Sequence, residues 1–193
     1  MRSGQEELLE KEYKVLLSVD QYKKIEGMFR WQEVFTQTNY YYMDKENILS
    51  QKDVTVRIRE KKNQFKLQTK VPFHNDENIV FTSKIEREME MSGVPQLLSK
   101  RELAEVLPEE YQLQDVKRIG SLVTHRKVCQ YGDCEISLDS NEYLGVVDYE
   151  LEIEFTKFVS DELLQQLGDI GICFLSKSPG KNRRFLRRYS ILN

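Results

Sequence analysis

Val146-Val-Asp-Tyr-Glu-Leu-Glu-Ile-Glu-Phe155 alternates with a period of two, the period at which a β-strand sends successive side chains to opposite faces. Glu150, Glu152 and Glu154 fall on one face, and Tyr149, Leu151, Ile153 and Phe155 on the other. The same alternation recurs outward from this stretch. Glu10, Glu12 and Lys14 share a face within 10–17, Arg57 and Arg59 within 53–61, and Lys66, Gln68 and Lys70 within 64–71. Lys84, Glu86, Glu88 and Glu90 share one within 80–91, and Thr124 and Arg126 within 116–130. Residues 33–43, rich in Thr and Tyr, and 133–139 bring the set to about eight strands, with Lys62-Asn63 in a hairpin turn and Gly132 in another. Three stretches read as helices: 19–30 behind Ser18, 95–107, and 161–168 behind Ser160. The basic tail 177–188 reads as partly helical. Antiparallel strands in this number can close into a barrel, which leaves no exposed edge.

For one strand taken alone, a charged face is a solvated face. Taken together, the charges are sorted by sign. Glu-x-Glu-x-Glu at 150–154 and Arg-x-Arg at 57–59 place like charges side by side, whereas a face chosen for solubility mixes signs. One site that holds a polyanion with a hard cation needs both clusters. Carboxylates hold Mg2+ or Mn2+ through oxygen, and Arg and Lys hold phosphate oxygens.

Composition narrows the alternatives. A length of 193 residues suits one domain, here 1–193. Lys+Arg 29 against Asp+Glu 32 gives a net charge of −3, so no basic excess points to nucleic acid. No apolar run reaches the roughly 20 residues that span a bilayer, and the first residues lack the apolar core of a secretory signal. Three cysteines and two histidines offer neither a disulfide framework nor a zinc constellation, and fit a reducing cytoplasm. Cys129, Cys134 and Cys173 read as small core residues, and His125, out of phase with Thr124 and Arg126, as an outward residue.

At this point the residues resemble a family. Glu10-Lys-Glu-Tyr-Lys14 resembles the E-x-E-x-K signature of the CYTH superfamily, the triphosphate tunnel metalloenzymes named for class IV adenylyl cyclase and thiamine triphosphatase. Arg57-Ile-Arg59, Leu67-Gln-Thr-Lys70, Glu86-Arg-Glu88, Arg126, Glu150-Leu-Glu152-Ile-Glu154 and Ser176-Lys177 follow in the family's order. Six such elements in sequence are specific where E-x-E-x-K alone is not, and the likeness is nearest to the small bacterial YjbK-type branch. One departure stands out. Met43 takes the place where many relatives carry an Asp, and Asp44 follows it.

The resemblance implies an α+β fold built on a closed eight-stranded antiparallel barrel, a tunnel with a hydrophilic bore and a few surface helices. It implies a metal-dependent phosphohydrolase acting on inorganic triphosphate or on an organic one such as thiamine triphosphate or a nucleotide. Lys14, Arg57, Arg59, Lys66, Lys70, Arg126, Lys177 and Arg183 would grip the phosphates. Glu10, Glu12, Glu152 and Glu154, with Glu150 next, would hold Mg2+ or Mn2+, and Glu86 and Glu88 form an acidic tunnel strand. A lysine–tyrosine pair, here Lys70 with Tyr40 or Tyr42, would activate water. The partner is a triphosphate-containing small molecule, with neither nucleic acid nor membrane, and the location cytoplasmic. The competing readings are an adenylyl cyclase and a non-catalytic module that binds polyphosphate or nucleotide.

Overall fold

The computed structural model of the chain describes residues 8–72, 82–111 and 115–193. Strands β1 (Leu8–Leu17), β2 (Glu33–Met43), β3 (Thr55–Lys61), β4 (Gln64–Pro72) and β5 (Thr82–Met91) occupy the first half. Strands β6 (Leu97–Leu98), β7 (Val116–Tyr131), β8 (Cys134–Tyr143) and β9 (Val146–Phe155) follow. The helices are α1 (Val19–Met28), α2 (Ile48–Gln51), α3 (Lys100–Val106), α4 (Asp161–Gly168) and α5 (Lys181–Leu192).

The strands form one strongly curled antiparallel sheet in the order β2-β3-β4-β5-β1-β9-β8-β7-β6, and β2 also pairs with β7. That ladder runs from Glu33 opposite Val128 to Met43 opposite Lys117, with an irregularity between Tyr41 and Tyr42. Each of the eight long strands therefore has a neighbour on both sides. The hairpin turn at Lys62 and Asn63 has φ of 53° and 60°, the pair of positive values that a two-residue turn matched to strand twist requires.

Most helix starts follow their caps. Ser18 and Ser160 accept from the backbone N–H of Gln21 and Leu163, and helices begin directly after them. The stretch 95–107, expected as one helix, divides. Leu97 and Leu98 pair with Lys117 and Val116 as β6, and Ser99 forms a capping box with Glu102 that starts α3 at Lys100. The cap decides the start, so the apolar pair before it is free to pair with β7. The beginning of the expected strand 80–91, before Thr82, lies outside the described residues.

Apolar side chains pack on the outer face of the curl. Ile136, Leu138, Leu151 and Ile153 lie under Ile25 of α1 and Leu163 and Leu167 of α4. Val56, Ile58, Leu67 and Val71 lie under Leu103 and Val106 of α3. A third cluster sits at one end of the interior, where Phe185 of α5 packs on Tyr41, Leu122 and Tyr143. The rings of Tyr41 and Phe185 are 5.0 Å apart. Gly120 makes this approach possible, because a Cβ there would meet the Phe185 ring at 2.8 Å. Cys129 and Cys134 are core residues as expected, whereas Cys173 is exposed.

Ile58, fully buried between two inward arginines, tests the alternation directly. Ile58→Ala should destabilise the protein by about 2–5 kcal/mol in urea unfolding, the usual cost of emptying a core site.

Candidate functional site

The inner face of the curl is polar and encloses a cavity of about 1310 Å³. Thirteen Lys or Arg side chains and eight Asp or Glu side chains line it, an excess of five positive charges in a chain whose net charge is −3. The lining includes Glu12, Lys14, Arg57, Arg59, Lys66 and Lys70 among the residues expected from sequence. It also includes Glu86, Glu88, Arg126, Glu152, Glu154, Lys177 and Arg183. Alternation brings them together because each lies on the inner parity of its strand, except Lys177 and Arg183, which come from the tail.

Strands β3 and β9 stand four strands apart by either route of pairing, so their inner faces oppose each other. On the β3 side, Arg57 Nε donates to Gln68 Oε1 at 3.0 Å, and its Nη2 lies 3.7 Å from Glu86. Lys70 pairs with Glu86 at 2.8 Å. Glu86 is buried, which by itself raises its pKa, but Lys70 and Arg57 overcome this and hold it at about 2. Lys66 pairs with Glu88 at a more exposed position, and Gln68 donates to Glu88 at 2.9 Å.

Arg59 is different. Its Nε donates to Asn39 Oδ1 at 3.0 Å, and no carboxylate among the described residues pairs with it. Burial, with Arg57 and Arg126 alongside, pulls its pKa down to about 9. A half-buried guanidinium beside two others is held against its own electrostatics.

On the β9 side, carboxylate oxygens of Glu12, Glu152 and Glu154 lie within 4.8 Å of one another. Three oxygen donors at that spacing, bordering the cavity, suit a hard divalent cation. Lys14 bridges Glu12 and Glu152 at 2.8 Å to each. Burial would lower Lys14 and raise both glutamates, but their mutual attraction prevails, leaving the lysine above and both carboxyls below their ordinary values.

Several expected residues are placed elsewhere. Tyr40 and Tyr42 face outward: Tyr40 donates to Glu60 at 2.8 Å, and Tyr42 donates to the Pro95 carbonyl at 2.6 Å inside the outer core. Neither lines the cavity. The inward tyrosine is Tyr41, because Asn39 and Tyr41 stand opposite Arg59 and Arg57 and share their face. Glu150, on the inner parity, lies beyond the cavity lining. It is fully buried and ion-paired with Lys181 and with Arg184, the latter at 2.7 Å. The backbone of Glu10 lies in β1, and its side chain is outside the described residues. Asp44 is structural: its carboxylate accepts from the N–H groups of Ile48 at 2.8 Å and Leu49 at 3.0 Å, at the start of α2. His125 is outward as expected, beside Thr36 and Glu142.

Asp139, Lys181 and Arg184 were not anticipated. Lys181 reaches Asp139 at 2.8 Å and Glu152 at 2.9 Å, besides Glu150. Burial, with Arg126 and Lys14 nearby, outweighs Asp139 and draws the Lys181 pKa below its ordinary value. Arg126 grips Asp139 through Nε at 2.8 Å and Nη2 at 2.6 Å, and also meets Glu152. The parity of Asp139 on its strand was a signal available in the sequence. Lys181 and Arg184 offered none beyond a basic tail.

A curled antiparallel sheet whose interior sets cations opposite carboxylates defines a β-protein with a charged cavity. The CYTH domain model matches residues 8–178, and the chain belongs to the CYTH domain family. No curated protein sequence matches the chain. Among solved structures, a Bacillus halodurans protein described as a candidate adenylate cyclase is 23% identical, with a TM-score of 0.68 over 93% of this chain and 98% of that one. A candidate adenylyl cyclase from Hippeastrum, described as having a dominant triphosphatase activity, is 19% identical, with a TM-score of 0.65 over 92% and 95%. The PH1819 protein of Pyrococcus horikoshii is 19% identical, with a TM-score of 0.62 over 93% and 99%. These likenesses establish a shared fold. Among the described residues no helix is long and apolar enough to cross a membrane.

The low pKa of Glu86 carries a stability consequence with a definite sign. A carboxyl held at about 2 in the folded state, below its unfolded value near 4.5, stabilises the fold above that unfolded value. The contribution is lost as pH falls from about 4.5 through about 2. The unfolding free energy lost in Glu86→Gln should therefore be constant above about pH 5 and shrink below it. Denaturant titrations at pH 7, 4 and 3 measure this.

Proposed function

We propose that the protein is a divalent-metal-dependent triphosphatase whose curled sheet closes into a tunnel around the phosphates of its substrate. The pairing of β2 with β7 supports the tunnel. The observation that carries the activity is Arg59, half-buried among cations with no carboxylate partner among the described residues, opposite the carboxylate trio Glu12, Glu152 and Glu154. An anion between those walls, accompanied by a cation on the acidic side, satisfies both. The positive excess of the lining suits a highly charged anion over a neutral ligand.

Arg57, Arg59, Lys66 and Lys70 would grip the phosphates from β3 and β4, with Lys14 and Arg126 across from them. Lys177 and Arg183 would draw the substrate in from the tail side of the cavity. Glu12, Glu152 and Glu154 would hold Mg2+ or Mn2+, with waters completing the shell. When bound, such an ion supplies positive charge against the charge that develops on the transferred phosphoryl group. Phosphoryl transfer needs positioning and charge neutralisation more than covalent chemistry, so the absence of a Ser or Cys nucleophile from the reading is no obstacle. Donors fixed before the substrate arrives need no reorganisation during the reaction. Lys70 remains the candidate for orienting water. No tyrosine among the described residues lines the cavity beside it, since Tyr40 and Tyr42 face outward and Tyr41 packs on Phe185.

The deciding assay follows products from tripolyphosphate, thiamine triphosphate, ATP and GTP with Mg2+ or Mn2+. Orthophosphate release marks hydrolysis, whereas pyrophosphate with a cyclic nucleotide marks a cyclase. Hydrolysis should disappear with a chelator, and Glu12→Gln or Glu154→Gln should lower turnover at least tenfold in protein that melts as a folded domain. Undiminished release after exhaustive chelation would overturn the metal assignment.

Arg59→Met separates binding from folding. It should cost tenfold to a hundredfold in kcat/KM, since a lost charged hydrogen bond is worth about 1.5–3 kcal/mol. Melting of the ligand-free variant should show equal or higher stability, because a half-buried charge repelled by Arg57 and Arg126 has been removed.

A further inference from the structure

We infer that Gln37 is a phosphate-binding residue and that Asn39 is a positioning residue that aims Arg59 at the same phosphate. The inference rests on the triphosphate reading and adds to it a neutral wall that no charge pattern marks.

Gln37, Asn39 and Tyr41 are successive inward residues of β2, only 3%, 0% and 0% exposed. Gln37 Nε2, Asn39 Nδ2 and the Tyr41 hydroxyl are buried without a hydrogen-bond partner. Nη2 of Arg57, which stands opposite Tyr41 on β3, likewise makes no hydrogen bond among the described residues and reaches only Glu86, at an ion-pair distance of 3.7 Å. Of the seven such atoms among the described residues, the other three belong to Ser137 and Glu150, and these four gather on one pair of strands, whereas native interiors satisfy nearly all such atoms. The orientation of Asn39 is fixed by chemistry. Arg59 Nε can only donate, so the Asn39 atom facing it is the carbonyl oxygen, and the amide NH2 is left over. All four groups can donate. The partner they lack is an acceptor with several lone pairs, and ionised phosphate oxygens are acceptors only.

Gln37 borders the cavity directly, whereas Asn39 does not line it and acts through its hold on Arg59. A neutral amide also suits this position electrostatically. Arg59 is already depressed by Arg57 and Arg126, and another cation on β2 would add to that repulsion. An amide supplies direction without charge.

The test uses tripolyphosphate as probe, with Mg2+, by calorimetry. Gln37→Met keeps the length of the side chain and removes the donor, and Gln37→Glu replaces the donor with an anion. Gln37→Met should weaken binding about tenfold, and Gln37→Glu more. The urea midpoint of Gln37→Met and its melting response to Mg2+ alone should match the wild type. Because no charge is removed, the salt dependence of its binding should also stay as in the wild type, whereas Arg59→Met should flatten it. A Gln37→Met protein with wild-type affinity overturns the inference alone and assigns the unmet amide to buried water. A wild-type protein indifferent to tripolyphosphate overturns the triphosphate reading and this inference with it.

Discussion

Glu152 meets three cations at once: Lys14 from β1, Arg126 from β7 and Lys181 from α5. Its own strand contributes the covalent anchor, so a single carboxylate ties four elements together. Burying so many charges carries a desolvation penalty of several kcal/mol per ion, offset only where attraction and hydrogen bonding are complete. On this side ion pairing is dense, although both Glu150 oxygens lack a hydrogen bond among the described residues. Asp139 answers both Arg126 and Lys181, and Glu150 answers Lys181 and Arg184. The carboxylate wall is therefore held largely by ion pairs from within the chain, while oxygens of Glu12, Glu152 and Glu154 still border the cavity.

The wall across from it is not. Cations and donors outnumber acceptors on β2 and β3, and the mismatch is concentrated at Arg57, Arg59 and the amides beside them. The two walls differ in kind: one is an assembled ion-pair lattice, the other an array of donors aimed at something. This asymmetry within one cavity is what the proposed binding of a polyanion rests on. The lattice gives the array a rigid frame, so the donors keep their geometry despite their mutual repulsion.

The apolar side of each strand makes the arrangement affordable. Ile58 lies between Arg57 and Arg59, and Leu151 and Ile153 interleave with Glu150, Glu152 and Glu154. Burial of these outer faces under α1, α3 and α4 supplies the hydrophobic stabilisation against which the charged interior is set. The helices thus stand outside, where a core belongs. Helix α5 is the exception. It presents Phe185 to the inner Tyr41 while sending Lys181 and Arg184 into the acidic lattice, closing one end of the interior with both an apolar and an ionic contact.

Which face of each charged strand turns inward was legible in the sequence, because the period of two is fixed by covalent geometry and the sorted charges mark the face. Arg57, Arg59, Lys66, Lys70, Glu12, Glu152, Glu154 and Arg126 follow from that rule. Strand β2 was not legible. Thr36 and Thr38 on one parity are as polar as Gln37 and Asn39 on the other, so only pairing with β3 could decide that Tyr41, not Tyr40 or Tyr42, turns inward. Depth along a strand was equally hidden. Glu150 has the parity of Glu152 and Glu154, yet it sits where α5 docks, and Lys181 and Arg184 claim it. Alternation is a local property of the backbone and can be read from consecutive residues. Register and helix docking are contacts between residues far apart in the chain, and they exist only once the sheet has curled.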